Sequence, residues 1–347
     1  MTDVALPPRH TALATLWKDH RIWLASALIF AITAAFSPPL AIQSISFTAA
    51  ALWHTAPFLL LSIGIAAWAG ATGADNLIAR AFTGTPLLMI ALAALAGGLS
   101  PFCSCGVIPL IAALLAMGVP LSAVMAFWLA SPIMDPSMFV LTSGVLGVEF
   151  ALAKTAAAIG LGVMGGVVVL MLSKSPILAN PLRDGIGDGG CGGSTVRAPK
   201  QVVWRFWTDA DRRAKFAREA LKTTLFLAKW LTLAFLLESL MLALIPAETI
   251  TALLGGTGIG PIALATVVGV PAYLNGYAAL PLVGGLISQG MAPGAGLAFL
   301  VAGGVTSLPA AIAVWALVKP RVFGLYIALS LSGAFASGLL FQAWSAL

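Results

Sequence analysis

Apolar residues run along this chain in long blocks with short interruptions. Blocks near 22–42, 49–72, 121–143, 155–173, 222–245, 293–317 and 322–346 are each long enough for a transmembrane helix, which needs about 20 apolar residues. Two further blocks, 86–118 and 258–290, exceed one crossing and fall short of two. Each divides into apolar halves around a break, Pro101 to Gly106 in the first and Pro271 to Gly276 in the second. Halves that short predict a re-entrant hairpin with its tip at membrane depth, where irregular backbone is tolerated only inside protein or beside a cavity. The expected fold class is an all-α polytopic membrane protein with about 7 full spans and about 2 re-entrant hairpins, roughly 8–10 hydrophobic segments.

The two halves of the chain resemble each other. Pro109-Leu110 matches Pro281-Leu282 at a shift of 172 positions (281 − 109). At that shift Gly84-Thr85 falls on Gly256-Thr257, Ile90-Ala91-Leu92-Ala93 on Ile262-Ala263-Leu264-Ala265, and Gly97 on Gly269. Leu114, Gly118 and Phe127 fall on Leu286, Gly290 and Phe299. Shared composition gives scattered matches; a gapless register points to a repeat.

Composition fits a bilayer solvent. Of 347 residues 60% are hydrophobic and 9% charged, with mean hydropathy +1.02, whereas a soluble domain carries about 25% charged residues. The formal net charge of +6 is no nucleic-acid footprint, because most basic residues sit in loops beside spans, as topology signals do. The odd cysteine count, Cys 3, argues against a disulfide framework. No Gly-x-x-x-x-Gly-Lys-Ser/Thr sequence is present, so the chain has no P-loop of its own.

Charge also assigns the sides. Lys174, Arg183, Arg197, Lys200, Arg205, Arg212, Arg213, Lys215, Arg218 and Lys222 crowd one segment, which the positive-inside rule puts in the cytoplasm. Its Gly-rich centre, Asp184 to Gly193, reads as flexible, and Asp211 to Lys222 as a basic helix along the membrane surface. With the two hairpins in place, Arg80, Lys319 and Arg321 also fall inside. The segment 49–72 then runs inward and its counterpart 222–245 outward, which makes the repeats inverted, the plan of many secondary transporters. The expected organisation is an N-terminal segment with a first span (1–48), repeat one (49–173), a basic Gly-rich cytoplasmic loop (174–221) and repeat two (222–347). The apolar run after Arg21 reads as an uncleaved span rather than a signal peptide, since the polar stretch before it is long and Pro38-Pro39 follows with no clear Ala-x-Ala site.

The breaks carry the chemistry. In Ser100-Pro101-Phe102-Cys103-Ser104-Cys105-Gly106 two thiols fall close to a helix start opened by Gly106 and Pro109. Orphan N–H groups and the positive dipole end favour thiolate there, the form that binds soft metals and arsenic, while low dielectric opposes it. Cys103 and Cys105 are either soft contacts for a solute or small apolar fillers of a tight turn. In the second break Asn275 aligns with Cys103 and Tyr277 with Cys105, offering amide and phenol groups, or a turn residue in the case of Asn275. A third break, Ser131-Pro132-Ile133-Met134-Asp135-Pro136-Ser137, sets a carboxylate between two prolines; its counterpart is Gly303 to Pro309. Asp135 reads as a proton or ion-coupling group, or as a helix cap. Glu238 lies near one end of a span, Glu149 and Lys154 are expected on an outer loop, His54 at the start of a span, and Cys191 in the cytoplasmic loop.

The stretches Pro101-Phe102-Cys103-Ser104-Cys105-Gly106-Val107-Ile108-Pro109-Leu110, Ser131-Pro132-Ile133-Met134-Asp135-Pro136 and Asn275-Gly276-Tyr277…Leu280-Pro281-Leu282 together resemble the predicted permease family that includes ArsP. The resemblance spans roughly 50–345. It implies a multi-pass permease of the bacterial inner membrane, and ArsP-type members export trivalent organoarsenicals. A trivalent arsenic with one organic group has two exchangeable positions, which suits two thiols. The expectation is a non-enzymatic efflux permease without cofactor or bound metal, its partners a small-molecule solute and the lipid bilayer, no nucleic acid, with a homo-oligomer compatible. Cys103, Ser104, Cys105, Asn275 and Tyr277 are the expected substrate contacts and Asp135 the coupling group. The alternatives are a thiol redox protein working through Cys103 and Cys105, and a channel or membrane subunit of a larger complex.

Overall fold

The computed structural model describes residues 9–73, 85–100, 107–173, 178, 180–183, 203–244, 258–272 and 276–346. Among these residues the chain is helical, with an isolated bridge between Leu182 and Val318. Helix α1 spans Arg9–Phe36. The next six are α2 (Pro38–Thr72), α3 (Pro86–Gly98), α4 (Ile108–Ala116), α5 (Leu121–Ala130), α6 (Pro136–Leu146) and α7 (Val148–Leu172). After a short 3-10 turn at Phe206–Thr208 come α8 (Ala210–Leu244), α9 (Ile259–Ala272), α10 (Gly276–Ser288), α11 (Pro293–Thr306), α12 (Leu308–Leu317) and α13 (Pro320–Ser345).

The second series repeats the first almost residue for residue. Helix α8 begins and ends 172 positions after α2 (210 − 38 and 244 − 72), and α11, α12 and α13 begin 172 positions after α5, α6 and α7. Local signals explain the shared boundaries. Proline occupies the first turn of α3, α6, α11, α12 and α13, where its missing N–H leaves no gap. Gly118 and Gly290 take positive φ after α4 and α10. Each sits in a Schellman turn, in which Leu114 accepts from the Val119 N–H (3.1 Å) and Leu286 from the Met291 N–H (2.9 Å).

Packing repeats as well. A Cβ on Gly97 would stand 2.6 Å from the Phe127 carbonyl oxygen, and one on Gly269 stands 2.7 Å from that of Phe299. Gly166 faces Ile90, Ser122 and Ala126, while Gly338 faces Ile262, Gly294 and Ala298, the same three positions at the 172-residue shift (338 − 166). Small residues let helix backbones approach closely, the usual route to helix association in a membrane. So α3, α5 and α7 form one tight group, and α9, α11 and α13 its counterpart.

The equivalent helices α7 and α13 run antiparallel. The start of α7 meets the end of α13, where the Phe150 and Phe341 rings lie 5.2 Å apart and Trp344 Nε1 donates to Glu149 Oε1 at 2.7 Å. Farther along, Leu161 packs against Gly333. The end of α2 likewise meets the start of α8: Arg212 Nη1 donates to the Ala71 carbonyl (2.8 Å) and Lys215 Nζ to that of Gly70 (2.7 Å). At the opposite end Ser239 bonds Ser44 at 3.1 Å. The two basic side chains thereby satisfy last-turn carbonyls of α2, which no helical N–H can reach.

Three local readings change. Asp211 to Lys222 is not a separate surface helix but the first turns of α8, because nothing between Arg212 and the apolar part breaks the helix. The helix expected at 49–72 begins at Pro38, places His54 in its interior, and bends by 43° around Pro57–Leu59, as a proline inside a helix dictates. Glu149 and Lys154 do not lie on a loop; both belong to α7. Among the described residues four helical stretches are long and apolar enough to cross a membrane, α7, α8, α13 and α11 together with α12, or five with the bent α2.

Candidate functional site

Cys103, Ser104, Cys105, Asn275 and Cys191 lie outside the described residues, but the helices that frame them do not. Helix α3 ends at Gly98, with the Ser100 hydroxyl donating to the Gly97 carbonyl at 2.9 Å, and α4 opens at Ile108 with Pro109 in its first turn and no side-chain cap. The thiol segment therefore joins a helix C-terminus to an N-terminus. In the second half α9 ends at Ala272 and α10 starts at Gly276, which puts Tyr277 in its first turn. The broken helices of the two halves also interlock. Helix α6 packs on α10 through Val145 and Leu146 against Gly284, and α12 packs on α4.

The third break is fully described. Asp135 is partly buried, and its Oδ1 accepts the Met138 N–H at 2.8 Å, capping α6. Its counterpart Ser307 is the N-cap of α12 and makes no such bond. Both readings of Asp135 made from sequence thus start from one position: it caps a helix, and it brings a carboxylate into the bundle.

A second ionisable group lies on α7, which packs on the α6 that Asp135 caps. Lys154 is 0% exposed and its Nζ has no hydrogen-bond partner. A charge buried without a bonded partner is among the costliest arrangements in a protein, and ionisable groups at membrane depth mark functional sites by default. The 172-residue shift places Lys154 on Tyr326 (326 − 154). Tyr326 is also buried, but its hydroxyl donates to the Val305 carbonyl at 2.6 Å and its ring lies 5.1 Å from that of Trp128. The sequence reading set Lys154 on an outer loop because the span was drawn from residue 155, and it gave Tyr326 no role. Carrying the 172-residue register on from the third break pairs them.

Glu238 is buried on α8, next to the Ser239 that bonds Ser44. Among the described residues no group of three His, Cys, Asp or Glu is placed to hold a metal ion. An apolar cavity of about 590 Å³ opens between α7 and α13, with Glu149 and Trp344 among its lining residues. It takes in neither Asp135 nor Lys154. At the other end of α7 the chain returns to the bundle: Lys319 N donates to the Pro181 carbonyl (2.9 Å) and Arg183 N to that of Leu317 (3.0 Å). The start of the basic loop and Lys319 therefore share one end of the bundle.

Comparison with known proteins adds a family to this geometry. The chain is 31% identical over 127 residues to the UPF0718 protein YcgR of Bacillus subtilis (strain 168). That alignment covers 36% of this chain and 43% of the relative, so the chain matches less than half the length of that curated protein. No solved structure matches. The profile of the family described as Predicted permease, ArsP_1, matches residues 41–343, which take in both helix series and all three breaks, and the chain belongs to that family.

Proposed function

We propose that this permease is a secondary transporter that works by alternating access and exports a thiophilic small solute, such as a trivalent organoarsenical, across the bacterial inner membrane. Permease membership supports a membrane transporter. The observation that carries the finer reading is the twofold recurrence. Two helix series share boundaries and glycine contacts at one fixed shift, and their equivalent helices α2/α8 and α7/α13 run antiparallel. Antiparallel equivalents are what inverted repeats require, and in such carriers the solute meets the unwound segments where the repeats join. The interlocked pairs α6/α10 and α4/α12 support that location.

In this reading repeat one is 49–173, repeat two is 222–347, and 174–221 is cytoplasmic. The contact of Pro181 with Lys319 supports the common side of the basic residues. Cys103 and Cys105 contact the soft atom of the solute, Ser104, Asn275 and Tyr277 offer hydrogen bonds, and Asp135 couples the cycle to an ion or proton. A carrier must release its cargo, so the thiols act by transient contact rather than closed chelation.

Counterflow of methylarsonous acid in proteoliposomes tests this reading. The wild-type protein exchanges labelled solute across the membrane, and the Cys103→Ser/Cys105→Ser variant loses at least tenfold of that rate while remaining folded in detergent. Each swap replaces one sulfur with oxygen and keeps the turn. If the double variant exchanges the solute at the wild-type rate, the thiols are packing groups and the soft-solute reading fails. Flux that shows no counterflow favours a channel. Thiol–disulfide cycling of the pair with a bound quinone favours the redox protein.

A further inference from the structure

The repeat places Lys154 where the second half has Tyr326, and the two treat their neighbouring breaks differently. Tyr326 fastens its break, since its hydroxyl bonds Val305, two residues before Ser307. Val305 is the counterpart of Ile133 (305 − 133 = 172), two residues before Asp135. The matching bond in the first half is not made, because Lys154 Nζ has no hydrogen-bond partner although the residue is fully buried. One break is tied down within the bundle and the other is not.

The groups for a bond in the first half are nevertheless present. An ammonium has three donors and no acceptor. Asp135 gives Oδ1 to the Met138 N–H, and a carboxylate has a second oxygen to offer. Asp135 caps α6, and α6 packs on α7, the helix that carries Lys154. Helix α7 packs on α3, α5, α6, α11 and α13. Those five helices carry one charged side chain, Arg321 in the first turn of α13, and it is the opposite end of α13 that meets the start of α7.

Resting on the transporter reading above, we propose that Lys154 is a switchable latch of the 131–135 break: open in the state seen here, and closed by an ammonium–Asp135 carboxylate bond in the other state of the cycle. A ligand or ion can shift a two-state equilibrium only through different contacts in the two states, and this bond is such a difference. Lys154 touches no solute in this scheme. It positions the break, and Asp135 with it. The second half, fixed by Tyr326 and Val305, serves as the frame against which the first half moves.

Hydrogen exchange of the full-length protein in detergent, with no solute added, reads the latch directly. In the wild type the amides of 131–138 exchange at least tenfold faster than those of 303–310. Tyr326→Phe, which deletes one hydroxyl, brings 303–310 up to the first-half rate. Lys154→Met keeps the length of the chain, removes the unbonded buried nitrogen and raises the melting temperature. It also removes the closed state, so exchange at 131–138 rises further and uphill accumulation of methylarsonous acid falls at least tenfold while downhill exchange persists. Equal exchange in the two breaks of the wild type overturns the proposal, as does Lys154→Met with unchanged exchange at 131–138. Should the wild type carry no methylarsonous acid while the two breaks still differ as stated, the solute assignment fails and the latch stands.

Discussion

A single added methyl group tests whether the twofold packing holds the protein together. Gly166 on α7 and Gly338 on α13 are repeat-equivalent, and each lets its helix lie on the first turns of a central helix. A Cβ on Gly338 would stand 2.7 Å from the Gly294 carbonyl oxygen, 2.8 Å from Ala298 Cβ and 2.9 Å from Ile262 Cγ2. A Cβ on Gly166 would stand 2.6 Å from Ile90 Cγ2, 3.0 Å from Ala126 Cβ and 3.0 Å from the Ser122 carbonyl oxygen. The same two helices hold internal controls. Gly160 on α7 and Gly324 on α13 have nothing within 4 Å of an added Cβ.

Two effects compete. Alanine favours a helix over glycine by about 0.5–1 kcal/mol, and that gain acts at all four positions. Forcing a methyl into a filled contact costs about 1–3 kcal/mol. At Gly338 the nearest atom is a backbone oxygen, which moves only if α11 moves, so overpacking wins and Gly338→Ala destabilises by about 1–2 kcal/mol. At Gly166 the nearest atom is Cγ2 of the buried, β-branched Ile90, whose χ1 the helix holds in one rotamer, so the loss is likewise about 1–2 kcal/mol. Gly160→Ala and Gly324→Ala are neutral or stabilising by up to about 1 kcal/mol. Thermal unfolding of the four purified variants in one detergent measures this. If Gly338→Ala unfolds at the same temperature as Gly324→Ala, α11 and α13 do not meet as described, and the repeat packing loses its main support.

Other substitutions separate structure from transport. Asp135→Asn keeps an N-cap acceptor for the Met138 N–H but cannot carry a charge; it retains stability, loses proton-driven accumulation and keeps downhill exchange, as vesicle flux assays can read. Asp135→Ala loses the cap too and costs about 0.5–2 kcal/mol more, seen as earlier thermal unfolding. If Asp135→Asn accumulates solute with unchanged pH dependence, the residue is a cap alone and the buried Glu238 is the next coupling candidate. A reporter fused at Lys200 is active only in its cytoplasmic form, and activity in the external form refutes the side assigned to the basic loop.

Much of this architecture was legible from residue patterns, and what escaped did so for physical reasons. The proline and glycine breaks and the 172-residue register were readable because helix stops and close backbone contacts demand particular residues. Gly97 and Gly269, matched as letters, make the same contact to Phe127 and Phe299. The basic helix at Asp211 was misjudged because charge was read as a surface property. In the structure Arg212 and Lys215 turn their donors to the end of α2. Lys154 was set on a loop because hydropathy windows end spans at charges. A lone lysine inside an otherwise apolar helix is marked as internal only by what packs around it. The thiol segment stays where the sequence reading left it, since the structure describes the helices on either side and not the link between them.

The repeat conserves scaffold and divides chemistry. At several positions that fix the backbone the halves agree: Pro109 with Pro281, Gly97 with Gly269 and Gly166 with Gly338 at the crossings, and the same turns after α4 and α10. At the positions with reactive side chains they differ, always in one sense. The first half has Cys103, Cys105, Asp135 and Lys154; the second has Asn275, Tyr277, Ser307 and Tyr326 at the same register. Thiols, a carboxylate and an amine stand against an amide, phenols and a hydroxyl. Groups of the first kind change charge or covalent state, and those of the second only donate and accept hydrogen bonds. Two inverted halves with identical side chains would give inward and outward states of equal energy, and nothing in the protein would then set a direction. Placing Asp135 and Lys154 at the breaks of one half, against Ser307 and Tyr326 in the other, breaks that equality. In the transporter reading proposed above, a proton or a soft solute acts on the first half while the second keeps its geometry.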